Sequence, residues 1–304
     1  MMRFARYIGT LAALGFVAFL VWRSASEFPL LDFASRWVWL GLAGGLTLYI
    51  ASQGIGAAAW RATLGVYDIQ LPRGRAESQL LVSQIGKYIP GNIAHLIGRA
   101  VLAREDGVTT ASIGGALLLE VGFLLGTAVF VICGMLLAAP GLLALLTAEL
   151  PEGWVNRSII AGGVILAIGL TTGQMFLWRR AGRPKIVIAR FVEPILLHLA
   201  NFAVLGVSLW FITLVVAPQS PIGVGHCIAI FSTAWVAGFL MPGAPGGVGV
   251  RDGIIAIGLE LFVAPGAALG AALLHRGLSI LGDLATFCIG LLLRCPQNQV
   301  QSDF

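Results

Sequence analysis

Residues 78–103, SQLLVSQIGKYIPGNIAHLIGRAVLA, are apolar enough for a bilayer yet broken at Pro90-Gly91. Proline lacks the N–H that a helix needs and clashes with the preceding turn, and glycine permits a reversal. The flanks are some 11–15 residues long, short of the roughly 20 residues that cross a membrane. Residues 226–262, HCIAIFSTAWVAGFLMPGAPGGVGVRDGIIAIGLELF, repeat the pattern around Pro242-Gly243. Each stretch reads as a re-entrant hairpin of two half-helices, since broken backbone at membrane depth is tolerated where protein or a wet cavity satisfies it. The competing reading is a single kinked crossing for each.

Around these stretches lie six apolar runs, at about 5–22, 37–60, 111–138, 157–178, 191–216 and 266–293. The first follows Arg3 and Arg6 and reads as a retained anchor or, alternatively, a signal peptide. Hydrophobic residues make up 58% of the 304-residue chain and charged residues 11%; soluble domains carry about 25% charge. So little charge excludes a soluble enzyme, a disordered chain or a secreted disulfide scaffold. Cys133, Cys227 and Cys288 lie in apolar runs, no pair forms a CxxC motif, and the four cysteines read as small core residues.

The net charge of +5 sits in the loops rather than in a nucleic-acid-binding face. Arg3, Arg6, Arg61, Arg73, Arg75, Arg104, Arg179, Arg180, Arg183, Lys185, Arg190 and Arg294 share one side of a six-span scheme, against Arg23, Arg36 and Arg157 on the other. The positive-inside rule then places both termini in the cytoplasm. Reading each hairpin as a full crossing would put the loop at 179–190 outside.

The two broken stretches resemble each other. Gly86-Lys87-Tyr88-Ile89-Pro90-Gly91 aligns with Gly238-Phe239-Leu240-Met241-Pro242-Gly243, and Arg99 falls on Arg251, each nine residues after its proline. Farther on, Glu120 falls near His275. The expected fold is therefore an all-α polytopic membrane protein, a single integral membrane domain over 1–304. It has six transmembrane helices plus two re-entrant helical hairpins in inverted repeats, about 37–138 and 191–293. Inverted repeats with discontinuous helices are a transporter architecture.

Chemistry concentrates at the breaks. The half-helix after each turn begins inside the membrane, and Asn92 can cap the first. Arg99 lies about 13 Å beyond its proline, nearer the mouth than the tip, whereas Lys87 lies close to the tip. An unpartnered arginine at bilayer depth costs at least ~2.5–3.5 kcal/mol, so two matched ones need a reason. A lipid phosphate suits the guanidinium fork; internal ion pairing or snorkelling is the alternative. Glu120, His275, Arg276 and Asp283 are further buried ionisable candidates. Arg276 and Asp283 are seven apart and can neutralise each other or form a relay. Glu120 either pairs with a hairpin arginine or couples transport to ions. His95 and His198 read as packed histidines. Nucleotide, zincin and nucleophile-elbow motifs are absent, and no cofactor or metal is expected.

GKYIPGNIAHLIGRAVLAREDGV at 86–108 and PGGVGVRDG at 245–253 resemble the paired motifs of the lysylphosphatidylglycerol synthase transmembrane-region family. This family is similar to the flippase domain of the bacterial multiple peptide resistance factor. The resemblance runs from about residue 10 to 295. Lys87, Tyr88, Pro90, Gly91 and Arg99 match the first motif, and Pro245, Gly246, Gly247, Gly249 and Arg251 the second. Asp252 stands where a glutamate is expected. The resemblance implies a lipid flippase of the bacterial inner membrane whose partner is a phospholipid or lipid-linked substrate. Only a short tail follows the last span, so synthase activity is not implied. The alternatives are an intramembrane transferase acting on polyprenyl-phosphate or phospholipid, and a non-transporting partner of a lipid-modifying enzyme.

Overall fold

A computed structural model describes residues 31–72, 74–89, 93–138, 189–241 and 245–294. The expected spans at 5–22 and 157–178 lie outside the described residues, as do Pro90, Gly91, Asn92 and Pro242-Gly243. All regular structure among the described residues is helical. Four helices are long and apolar enough to cross a membrane: α1 (Arg36–Val66), α4 (Thr110–Ala138), α5 (Ala189–Val216) and α8 (Pro265–Arg294).

Between α1 and α4 the chain makes a short helix α2 (Arg75–Ser83), continues as a 3₁₀ segment (Gln84–Tyr88), and resumes as α3 (Ala94–Glu105). Between α5 and α8 it makes α6 (Val224–Leu240), a 3₁₀ turn (Pro245–Gly247) and α7 (Val250–Leu259). The order long, short, short, long thus occurs twice.

The most extensive pairing is α1 against α5, and small residues allow it. A side chain at Gly41, Gly44 or Gly45 would run into Val215, Phe211 or Ile212 of α5. The buried Gly45 carbonyl accepts a 2.8 Å hydrogen bond from Ser208. The other pairings come in twos. α8 packs on α2 as α4 packs on α6; α1 packs on α2 as α5 packs on α6; and the two 3₁₀ segments touch each other.

Polarity is inverted relative to a soluble protein, in which large apolar side chains turn inward. Trp37, Phe130 and Leu292 are 69%, 68% and 73% exposed, whereas Gln79, Arg99, Glu120, His198 and Asp283 are buried. Such a surface is stable only against an apolar solvent. Apolar packing continues inside. Phe202, Leu209, Ile212, Phe231, Ile255 and Leu259 centre one cluster, and Trp60, Leu64, Leu80 and Leu119 a second.

Candidate functional site

Glycine builds the two breaks in the same way. A Cβ at Gly86 would lie 2.9 Å from the backbone of His95, and one at Gly238 3.3 Å from the backbone of Gly247. Each contact joins one limb of a broken pair to its return limb. In the second turn Gly246, Gly247 and Gly249 have φ of 58°, 72° and 83°. These left-handed values are natural only for glycine, which accounts for the glycine density of that motif. The Asp252 carboxylate accepts the Gly249 N–H at 3.2 Å and so holds the start of α7.

Between the broken pairs lies a cavity of about 130 Å³. That is roughly tenfold the space one water needs but below the about 300–1,000 Å³ of drug-sized sites, so it suits a compact polar group. Helical spacing decides which residues reach it. α1 presents Tyr49, Ser52, Gln53 and Gly56; α3 presents His95, Leu96 and Arg99; α5 presents His198, Asn201 and Leu205. Glu120 of α4, Trp235 of α6 and Arg251 of α7 complete the walls. Trp235 stacks on Phe239 with centroids 5.1 Å apart and meets the edge of Phe202.

Of the expected site residues, Lys87, Arg99, Glu120, Gly246, Gly247 and Arg251 line this cavity. Arg99 is buried, ion-paired with Glu120, and lies 5.0 Å from the centre of the Trp60 ring. The Trp60 indole donates to Gln79 at 2.9 Å, and Gln79 donates to Asp106 at 2.7 Å. Asp106 also pairs with Arg294 at 3.3 Å, at the end of α8.

Lys87 does not reach into the cavity unpaired. Its Nζ lies 2.7 Å from Asp283 Oδ2 and donates to the Tyr49 hydroxyl at 3.1 Å. Tyr88 and Tyr49 both donate to Asp283, at 2.5 and 3.0 Å. The first 3₁₀ segment is thereby bound to α8.

Arg251 differs. Its guanidinium stands 4.4 Å from the centre of the Phe231 ring, and its stem lies against Gly238 and Gly247. It forms no ion pair with a described carboxylate. The neighbouring Asp252 is turned instead to Arg276 Nε at 3.5 Å, and Arg276 donates to the Gly246 carbonyl at 3.0 Å.

Two expectations need correcting. Arg276 and Asp283 do not neutralise each other, because partners on α7 and the first 3₁₀ segment take each one separately. His275 lies behind the cavity, 5.5 Å from the Phe231 ring and 6.2 Å from the Tyr49 ring, rather than on it. Glu120 does pair with an arginine of the first broken stretch, Arg99. Tyr88, Pro245, Gly249, Asp252 and Arg276 support the walls without lining them.

The histidines expected to be packed prove more informative. His95 and His198 both line the cavity. His95 Nδ1, both His198 nitrogens, Asn201 Oδ1 and Arg99 Nε have no hydrogen-bond partner among the described residues. His198 and Asn201, three residues apart inside an apolar span, were the sequence signal for this face. Among the described residues no group of three His, Cys, Asp or Glu side chains is placed to hold a metal.

No protein-family model matches the chain, and no curated protein matches it.

Proposed function

We infer that the protein is a lipid translocase of the bacterial inner membrane, carrying a phosphate-bearing headgroup past the two broken helix pairs while the acyl chains stay in lipid. One observation carries this reading: one cavity is walled by both broken pairs and is lined by an arginine from each, Arg99 and Arg251. A path symmetric about the cavity is what alternating access requires.

The finer architecture belongs to the same reading. Six spans, two re-entrant hairpins and inverted repeats agree with the twofold order of elements and with the paired helix contacts. The equivalent close approaches at Gly86 and Gly238 support the repeat independently of any matched leucine. Both termini are cytoplasmic in this scheme. Single-cysteine labelling at position 183 from outside intact cells tests it; external reaction there reverses the orientation.

The motifs similar to those of the lysylphosphatidylglycerol synthase transmembrane-region family support lipid movement, and so does the absence of a recognisable nucleotide motif in a chain with a polar interior. The test is reconstitution of the purified protein into liposomes carrying fluorescent phospholipids, with external dithionite quenching. Translocation predicts quenching beyond the half accessible in protein-free vesicles. Quenching that stops at half with every lipid rejects it. A transferase would instead consume a polyprenyl-phosphate or phospholipid, read as a mass change in the recovered lipids.

A further inference from the structure

The charges and the unpaired polar atoms of the cavity select among headgroups. Lys87, Arg99, Arg251 and Glu120 are its charged lining residues. Glu120 is committed to Arg99, and Lys87 is neutralised by Asp283 at 2.7 Å, whose side chain is 0% exposed. Asp252, the carboxylate next to Arg251, is held by Arg276 and the Gly249 N–H. Every carboxylate at the site therefore has a cation, and Arg251 alone has no described carboxylate within ion-pair distance. The balance is one positive charge.

A phosphodiester carries one negative charge and completes that balance. An ammonium on the same headgroup would enter a low-dielectric space with no carboxylate left to receive it, which is costly.

The orphaned atoms add a second requirement. Buried polar groups are nearly always hydrogen-bonded, yet five atoms here have no partner among the described residues, and His198, His95 and Arg99 are 1%, 9% and 3% exposed. Arg99 Nε is a donor and suits a phosphate oxygen. Asn201 Oδ1 is an acceptor, and a neutral imidazole with both nitrogens free, as at His198, offers one acceptor and one donor. A phosphate oxygen cannot satisfy acceptors, and neither can an acyl chain. Hydroxyl groups can. His198 and Asn201 sit three apart on one face of α5, and His95 and Arg99 four apart on one face of α3, so the two sets address one ligand across the cavity.

We propose that the cavity takes a lipid phosphodiester whose headgroup bears hydroxyls and no ammonium, with Arg251 as its counter-ion and His198 and Asn201 as its hydroxyl acceptors. This rests on the translocase reading for the lipid source, but the site chemistry stands apart from it. The same chemistry is offered by a soluble glycerophosphodiester.

The experiment uses the full chain in liposomes with acyl-labelled phosphatidylglycerol, phosphatidylethanolamine, phosphatidylcholine and lysylphosphatidylglycerol. Binding is measured in parallel by native mass spectrometry and thermal shift with the unlabelled lipids and with glycerophosphoglycerol. Phosphatidylglycerol should cross at least tenfold faster than the three ammonium lipids and be retained preferentially. Arg251→Gln should abolish that preference and Arg251→Lys should keep part of it. The pair His198→Phe, Asn201→Leu should reduce it several-fold at unchanged melting temperature, which separates ligand contact from folding.

Equal crossing by ammonium lipids overturns the selectivity and leaves translocation standing. No crossing by any lipid, with selective retention of phosphatidylglycerol, overturns translocation and supports the site. Stabilisation by glycerophosphoglycerol as strong as by the lipid overturns the lipid source. Absence of both crossing and selective retention overturns both readings.

Discussion

The two broken helix pairs place an arginine at the same step after the turn, Arg99 and Arg251, and treat it in opposite ways. In the first pair the arginine is buried, ion-paired with Glu120, and set against Trp60, which the chain Gln79–Asp106–Arg294 ties to the end of α8. In the second, the position aligned with Gln79 is Phe231, and Arg251 rests on that ring with no described carboxylate. A polar network closes one side; apolar packing leaves a cation available on the other. Equal positions in two similar segments thus do not have equal surroundings. The partners supplied by neighbouring helices decide whether a matched residue is ion-paired or rests on an aromatic ring with no described ion pair.

The strongest way to break this contrast is to remove Glu120. Glu120→Ala leaves Arg99 as a buried charge without a partner and should cost about 3–5 kcal/mol, read as a fall in melting temperature of the detergent-solubilised protein. The double substitution Glu120→Leu, Arg99→Met should recover most of that loss, and Arg251→Ala should stay within about 1 kcal/mol of wild type. An Arg251→Ala protein as damaged as Glu120→Ala would erase the distinction between the two arginines.

Gln79→Leu cuts the link between Trp60 and Asp106. It leaves the buried indole N–H without an acceptor and should cost about 1–3 kcal/mol. Its effect on the proposed lipid translocation should appear only through Arg99. Unchanged stability would mean that the network merely accompanies the arginine.

The second pair is sensitive to its backbone instead. Gly247 has φ of 72°, and its added Cβ would meet the Arg251 Cβ at 3.2 Å. Gly247→Ala should cost about 1–2 kcal/mol from the left-handed backbone. Gly114→Ala serves as the control. This glycine lies in α4 with nothing within 4 Å of an added Cβ, and the change should stabilise by about 0.5–1 kcal/mol. The sign difference is measurable by thermal unfolding, and equal effects would remove the backbone from the account.

The smallest effect belongs to the surface. Arg61 and Glu77 form a 3.1 Å pair with side chains 55% and 21% exposed. Arg61→Ala should change stability by about 0–1 kcal/mol, well below any change in the buried pair. A larger loss would make surface charge, rather than the Arg99–Glu120 pair, the main electrostatic support.

Much of this was legible in the residues. The apolar runs at 37–60, 111–138, 191–216 and 266–293 correspond to α1, α4, α5 and α8. The breaks showed because proline and glycine act within a few residues of themselves. The pairing of Glu120 with a hairpin arginine was foreseen because a buried arginine needs a carboxylate and few were available. Arg276 with Asp283 was misjudged for the complementary reason. A shared helix face made the pair plausible, while Lys87 and Asp252 lay far away in sequence but nearer in space. His198 and Asn201 were passed over because single polar residues in apolar spans usually pack.

By itself, the sequence determined that the chain is an all-helical membrane protein interrupted twice at matched points. These properties follow from hydrophobicity and backbone sterics, which act over one or two helical turns. Only the tertiary structure decided which arginine is neutralised and which histidines face the cavity. Ion pairs and cavity walls join side chains that are distant in the chain: Lys87 with Asp283, and His95 with His198 across one space. Coulombic pairing depends on separation in space, and helix packing, not local sequence, sets that separation.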